Sequence, residues 1–593
     1  MQVNHLSYLR LLIQKIKRLP SRRLTLLFSV LTGIICGFAA ITIKWLIHFV
    51  KLNLTGWLPT DSGSILLFAY PMIGVLLSII FLRLFVRDDI SHGVTKVLYA
   101  MSRKESRLKA HNMYTSMLAT SLTIGLGGSV GAEGPIVMTG SAIGSNIGQF
   151  FRVDARMVML LLGAGASGAI AGAFGAPLAG VIFTLEVLML DLTMSAVVPL
   201  LLSTVCAVSI TYLFVGSSII FPERYILNFS VYNIPYYIIL GIICGAASLY
   251  FTWASITIEG FFRRQKSLVS RFLIGGVLLG LLIMLFPSLY GEGYEAIGKL
   301  LTLKTDVLFE HTLYYNLNGE VWALLLIPLL IIFFKVPAMA CTFGAGGVGG
   351  IFAPSLFVGG MVGFFVATSI NVLFGMSLPV GNFTLVGMAG VLAGVMHAPL
   401  TGVFLIAEIT GGYQLFIPLM LVSVLSYITV FSRNRHSLYT LRLAQSGDLI
   451  THHKDKAAIT TMSLDEVVEA DFIPVALNAT LGELVKAVAK SKRNIFPVVD
   501  WGGCLKGVVL LDDIRHIMFD QSRYDEVLVS DLLILPPDQV VVGSTMEEVF
   551  AMFEESGAWN LPVVDSNGVY VGFVSRSRIL SIYREKLVDL CND

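Results

Sequence analysis

A chain of 593 residues with 55% apolar and only 13% charged side chains, and a mean hydropathy of +0.79, lies far from soluble domains, where about a quarter of residues are charged. Its formal net charge of +2 carries no nucleic-acid signature. Its six cysteines stand singly, giving neither a disulfide framework nor metal-ligand spacing. What remains is an integral, multi-pass membrane protein.

The first 24 residues include "RLLIQKIKRLPSRR", a basic segment with Lys15, Lys17, Arg18, Arg22 and Arg23 and no cleavage site after it. By the positive-inside rule this end is cytoplasmic, and the basic stretches at 102–111, 263–271 and 432–436 place the C-terminal side of the membrane region there too. Uncharged runs at Leu26–Ile43, Ser62–Leu82, Met194–Pro222 and Phe272–Tyr290 each approach the ~20 residues that span a bilayer as a helix. From Val336 to Ala407 there is no Asp, Glu, Lys or Arg, but many glycines and several prolines. That stretch reads as several short or broken helices, which survive at membrane depth only when buried in protein or lining a cavity. A transporter or channel has a use for them; a simple anchor does not.

Beyond residue 446 the composition becomes soluble in character. "NIFPVVDWGGCLKGVVLLDDI" (494–514) resembles "NLPVVDSNGVYVGFVSRSRI" (560–579), and each reads as strand, turn, strand, helix. The tail 447–593 is therefore expected to be a tandem α/β pair, at about 463–520 and 528–587. The membrane part, 25–446, repeats as well. "GASGAIAGAFGAPLAGVIFTLE" (165–186) and "GMAGVLAGVMHAPLTGVFLIAE" (387–408) agree at ten of twenty-two positions at an offset of 222. Upstream, "GGSVGAEGP" (127–135) and "GAGGVGGIFAP" (344–354) are both glycine-rich turns ending in proline. Two inverted halves of this kind place ion sites at their interface; shared small-residue packing is the plainer alternative.

Proline suits the first turn of a helix, so Pro135 and Pro354 are expected to begin helices after those turns. A helix starting inside the membrane presents unpaired N–H groups and the positive end of its dipole, for which an anion is the natural partner. Two such starts would hold an anion without a buried Lys or Arg, loosely enough for it to pass. Glu133 is the single acid between Lys109 and Arg152. Just before a helix start its carboxylate can itself occupy the anion's place, and leave it when protonated or swung aside. The alternative is an ordinary capping acid.

These residues carry a resemblance. "GAEGP" resembles the Gly-Lys/Arg-Glu-Gly-Pro motif of the CLC chloride channels and chloride/proton exchangers, "GGIFAP" (349–354) its Gly-x-Phe-x-Pro motif, and "SHGVTKV" (91–97) stands at its Gly-Ser-Gly-Ile-Pro. Tyr439 matches its anion-contacting tyrosine, and the tail is similar to a cytoplasmic CBS (Bateman) pair. The resemblance implies an all-α polytopic membrane domain of two inverted repeats with broken helices, in a homodimer with one chloride pathway per subunit, in a bacterial inner (plasma) membrane. It implies Glu133 as the gate and an anion site formed by His92, Gly93, Gly134, Ile351, Phe352 and Tyr439, with no cofactor.

The chain departs from the pattern in three places. His92 stands where serine is usual, and imidazole titrates near pH 6–7; an anion-donating, pH-sensitive role competes with that of a buried structural histidine. Thr95 and Lys96 also differ from the motif. Val187, the position after Glu186, replaces the internal proton-carrying glutamate of exchangers, which tilts the reading towards a passive chloride channel over a chloride/proton antiporter. Glu186 and Glu408 hold matched positions, as a capping pair would. In the tail, Asp513 and Ser575 each supply half of a nucleotide-binding motif, so adenine-nucleotide binding and a structural tail are both open. A CBS-regulated cation transporter would need acidic pore linings that the central stretch lacks, and a non-transporting sensor would not need the broken helices. No nucleophile–base pair suggests an enzyme.

Overall fold

The computed structural model describes residues 20–55, 65–86, 93–103, 106–188, 194–216, 221, 229–302, 304–310, 312–445 and 462–583. The basic segment before Pro20, His92 and the expected boundary near residue 447 lie outside these. The chain divides into two compact units, Met1–Leu449 and Ile450–Asp593.

The first unit is helical. In chain order it contains α1 (Ser21–Thr55), α2 (Ile65–Phe81), α3 (Gly93–Arg103), α4 (Asn112–Gly125), α5 (Glu133–Phe151), α6 (Ala155–Phe174), α7 (Pro177–Glu186), α8 (Met194–Val215) and α9 (Ile234–Arg264). Then come α10 (Leu268–Leu285), α11 (Tyr294–Leu301), α12 (Val321–Ala345), α13 (Phe352–Phe374), α14 (Val380–Met396), α15 (Pro399–Thr410), α16 (Phe416–Phe431) and α17 (Leu438–Gln445). Among the described residues, eight helices are long and apolar enough to cross a membrane. The uncharged stretch from Val336 is broken, as expected, into the end of α12 and the helices α13, α14 and α15. α5 and α13 start two residues before Pro135 and Pro354, so these prolines fall inside the first turn, where their missing N–H costs nothing.

Two pairs of contacts show the repeat in three dimensions. A Cβ on Gly140 of α5 would stand 2.2 Å from the Gly165 carbonyl oxygen on α6, and one on Gly359 of α13 would stand 2.3 Å from that of Gly387 on α14. Only glycine lets the two backbones of each pair approach so closely. The acids ending the two long repeats cap each other's helices. Glu186 accepts the N–H groups of Leu400 (3.0 Å) and Thr401 (2.7 Å) and the Thr401 hydroxyl (2.7 Å) at the start of α15. Glu408 accepts those of Leu178 (3.0 Å) and Ala179 (2.8 Å) at the start of α7. Each carboxylate thereby satisfies two orphan donors and faces the positive end of a helix dipole.

The second unit has two small sheets. Strands β2 (Val475–Ala476), β3 (Ile495–Val499) and β4 (Leu505–Leu510) form one, in the order 2-3-4. The other, in the order 1-7-6-5, contains β1 (Val468–Glu469), β5 (Val540–Val541), β6 (Asn560–Val564) and β7 (Tyr570–Ser575). The two copies interlock. β1, which precedes the first copy's sheet, pairs with β7 of the second copy (Val468 opposite Val574), and Ile534 of the second copy exchanges hydrogen bonds with Val508 of the first at 2.9 Å. Two short α/β units with small cores gain area and satisfied edges by trading strands.

Candidate functional site

The two glycine-rich turns meet. Each starts where a helix ends in a left-handed glycine, Gly127 (φ +101°) after α4 and Gly346 (φ +104°) after α12. Each turn is then pinned by a threonine of the other half: Ser129 N–H donates to Thr342 Oγ1 and Val348 N–H to Thr123 Oγ1, both at 3.2 Å. Between them Gly131 and Gly350 form an antiparallel bridge, with N–H···O distances of 2.9 and 2.6 Å. The starts of α5 and α13 are thus held side by side at the contact between the halves.

Glycine is obligatory here because backbone meets backbone. A Cβ on Gly350 would fall 2.6 Å from the Gly134 nitrogen, and one on Gly93, the first residue of α3, 2.5 Å from the Gly134 oxygen. Three helix starts therefore converge, those of α3, α5 and α13. In α13 the first amide outside the capping region that bonds back is Ser355, to Ile351 O at 3.1 Å. The N–H groups of Ile351, Phe352 and Ala353 precede it and have no intrahelical acceptor. One of the three, Ala353, donates to Glu133 Oε2 at 3.3 Å, while Tyr294 Oη–H donates to Glu133 Oε1 at 2.6 Å. The Glu133 carboxylate, only 4% exposed, thus sits at the start of the opposite half's helix, where an anion would sit.

On one side of Glu133 lies a cavity of about 180 Å³, with Lys44, Glu292 and Tyr294 among its lining residues. Elsewhere in the site the Phe352 ring packs on Phe174 (centroids 5.5 Å apart) and Phe183 (6.1 Å). Tyr439 is carried by α17, which packs against α3 and α14. Its hydroxyl is buried with no hydrogen-bond partner among the described residues. A buried donor left unpaired in this way fits an anion as its partner. α17 is fixed by a buried ion pair between Arg442 and Glu259 of α9.

Of the residues singled out from sequence, Gly93, Gly134, Glu133, Ile351 and Phe352 lie at or next to these helix starts. His92 lies outside the described residues. Val187 is buried at the end of α7, an apolar side chain as read. Sequence reasoning missed Glu292, Tyr294 and Lys335. Lys335 is fully buried on α12 and donates to the carbonyls of Leu289 (3.3 Å) and Gly291 (2.9 Å). The test that isolates Glu133, one charge among apolar residues, also isolates Lys44 and Lys335.

In the tail, the Ser575 hydroxyl donates to Glu469 Oε1 at 2.6 Å, and Glu469 is paired with Arg493. A carboxylate beside that hydroxyl is a poor neighbour for a phosphate, so the residues present do not fit the phosphate end of a nucleotide. Asp513 belongs to a short helix after β4.

Comparison with known proteins bears on the family and the fold. A family model described as voltage gated chloride channel matches residues 73–430, and a CBS domain model matches 525–585. A putative chloride channel protein ClcB-like of Ralstonia nicotianae is 28% identical over 362 residues, covering 60% of this chain and 80% of that protein. An H(+)/Cl(-) exchange transporter ClcA of Vibrio parahaemolyticus is 27% identical, over 67% of this chain and 84% of the relative. The crystal structure of a slow cyanobacterial Cl-/H+ antiporter superposes on 72% of this chain and 98% of its own, with a TM-score of 0.60 at 24% identity. A eukaryotic CLC transporter covers 93% of this chain and 97% of its own, with a TM-score of 0.58 at 19% identity. With a family model spanning more than half of its length, the chain belongs to the voltage gated chloride channel (CLC) family and carries a C-terminal CBS domain.

Proposed function

We propose that this protein moves chloride along a path through the joined starts of α3, α5 and α13, gated by Glu133. The observation that carries this reading is the Ala353 N–H bond to the Glu133 carboxylate: the gate and the permeating anion compete for the same amides. Ile351, Phe352 and Tyr439 supply the remaining donors, with Gly93 and Gly134 allowing the close approach. Family membership makes the protein a transporter and not an enzyme. Passive conduction is favoured over exchange because Val187 cannot relay a proton on the route away from Glu133. The second reading, chloride/proton exchange, draws on the hydrogen-bonded acid itself, which changes the site when protonated.

Reconstituted liposomes with opposed chloride and pH gradients distinguish the two. A reversal potential set by chloride alone identifies a channel, and one that moves with pH identifies exchange. Glu133→Gln should leave the anion path open and abolish any proton coupling. A Glu133→Gln protein whose flux and pH response match the wild type would end the reading of Glu133 as the gate. We further propose a homodimer in a bacterial inner membrane with both ends cytoplasmic, and His92 as an anion donor, tested by the pH profile of His92→Ser. The tail acts structurally: ATP, ADP and AMP should leave the thermal midpoint of the whole protein unchanged.

A further inference from the structure

The cavity beside Glu133 holds a second acid that the transport reading does not use. Glu292 lies on the short link between α10 and α11, and its Oε1 accepts the Ala132 N–H at 3.0 Å, one residue before Glu133. Two carboxylates therefore sit at two neighbouring helix starts: Glu133 bonds to that of α13 and Glu292 to that of α5. The link is held rigidly. Lys335 binds its carbonyls at Leu289 and Gly291, and the ammonium lies 4.8 Å from the centroid of the Phe357 ring. A Cβ on Gly293 (φ +93°) would meet that same ring at 2.2 Å.

The charged and titratable groups facing Glu292 are Lys44 from α1, Glu133 from α5, Tyr294 from α11 and Lys335 from α12. Glu295, one residue beyond Tyr294, is engaged instead with Lys51 (3.3 Å) and Lys299 (3.9 Å). A cavity of about 180 Å³ with several polar walls has room for a few waters.

We propose that Glu292 sets when Glu133 takes up a proton, as a second titrating acid that faces it across the cavity. The inference rests on the reading of Glu133 as the gate. The step is a transfer through water. The O–H bond of the Glu292 carboxyl breaks and an O–H bond forms on Glu133; a solvent proton arriving as hydronium then restores the Glu292 carboxyl and leaves water behind. Once neutral, Glu133 loses the charge that holds it to the Ala353 amide, and the anion takes that amide. While ionised, Glu292 repels the Glu133 carboxylate and favours its protonation; Lys44 opposes this.

The experiment is chloride efflux from liposomes holding the full-length protein, with equal pH on both sides, stepped from about pH 4.5 to about 8.5. Glu292→Gln keeps an oxygen for the Ala132 amide but removes the charge. Its efflux midpoint should move down by about one pH unit. Lys44→Gln should move the midpoint up, and Glu292→Asp should fall between Glu292→Gln and wild type. The double variant Glu133→Gln/Glu292→Gln should match Glu133→Gln alone. An unmoved midpoint in Glu292→Gln, or a loss of efflux by the same factor at every pH, would make Glu292 a helix cap only and overturn the proposal while leaving the gate intact. Should Glu292→Gln fail to fold, Lys44→Gln and Glu292→Asp decide in its place, and unmoved midpoints in both overturn it. A wild-type pH response that survives unchanged in the double variant Glu133→Gln/His92→Ser would instead remove the gate reading itself.

Discussion

The turns at 127–135 and 344–354 are nearly the same object built twice, and they differ where function needs them to differ. Both leave a helix through a left-handed glycine, lean on a threonine of the other half, and enter a helix whose first turn holds proline. At the third residue of that entry sequence the first has Glu133 and the second Phe352. Glu133 reaches across to the other half's amide; Phe352 turns away into a cluster with Phe174 and Phe183. Symmetry builds the joined helix starts, and one broken equivalence sets a carboxylate against the other half's amide.

The sharpest way to break this comparison is at its axis. Gly350→Ala puts a Cβ 2.6 Å from the Gly134 nitrogen, backbone that has nowhere to go. Chloride efflux should fall more than about tenfold, since a misplacement of about 1 Å already costs that much in a pre-organised site. Next comes Glu259→Gln, which leaves Arg442 buried without its counter-charge. Removing one partner of a buried pair costs about 3 kcal/mol. A lower thermal midpoint should accompany weaker chloride binding, because α17 carries Tyr439.

The caps shared by the halves give a finer test. Glu186→Gln and Glu408→Gln should each cost about 1–2 kcal/mol. The first should cost more, because Glu186 also holds the Thr401 hydroxyl. Equal losses would mean that this extra bond is idle. The smallest effect belongs to the tail. The Lys506 ammonium and the Cys504 amide hold the Asp500 carboxyl below its ordinary value, and the amide of Val569 does the same for Asp565. A depressed carboxyl stabilises the fold above its unfolded value, about 3.9, and that contribution is lost as pH falls through the folded one. Hydrogen-exchange protection over 462–583 in the whole protein, taken relative to the intrinsic exchange rate at each pH, should therefore fall slightly below about pH 4.

Much of this was legible in the sequence, for a reason. Broken helices, paired repeats and a lone acid leave local marks: uncharged runs, glycine and proline at fixed places, and a constant offset. Glu186 and Glu408 could be matched as a capping pair by position alone. That each caps the opposite half was not visible, because the donors lie over two hundred residues away. Glu292 and Tyr294 sit in a link with no periodicity, and their place beside Glu133 depends on how α10 and α11 return to the centre. The strand exchange of the tail was hidden for the same reason, since β1 and Ile534 look like linkers until the partner strand is known.

The bridge between Gly131 and Gly350 bears on what sort of machine this can be. Two main-chain bonds rivet the halves at a buried position, so opening a gap there would strand four polar groups in the interior. Such a bridge opposes the large rocking swing by which many carriers expose their cargo alternately to each face. Under the proposed gating by Glu133 the working stroke is the swivel of one side chain, and turnover should then be indifferent to lipid viscosity.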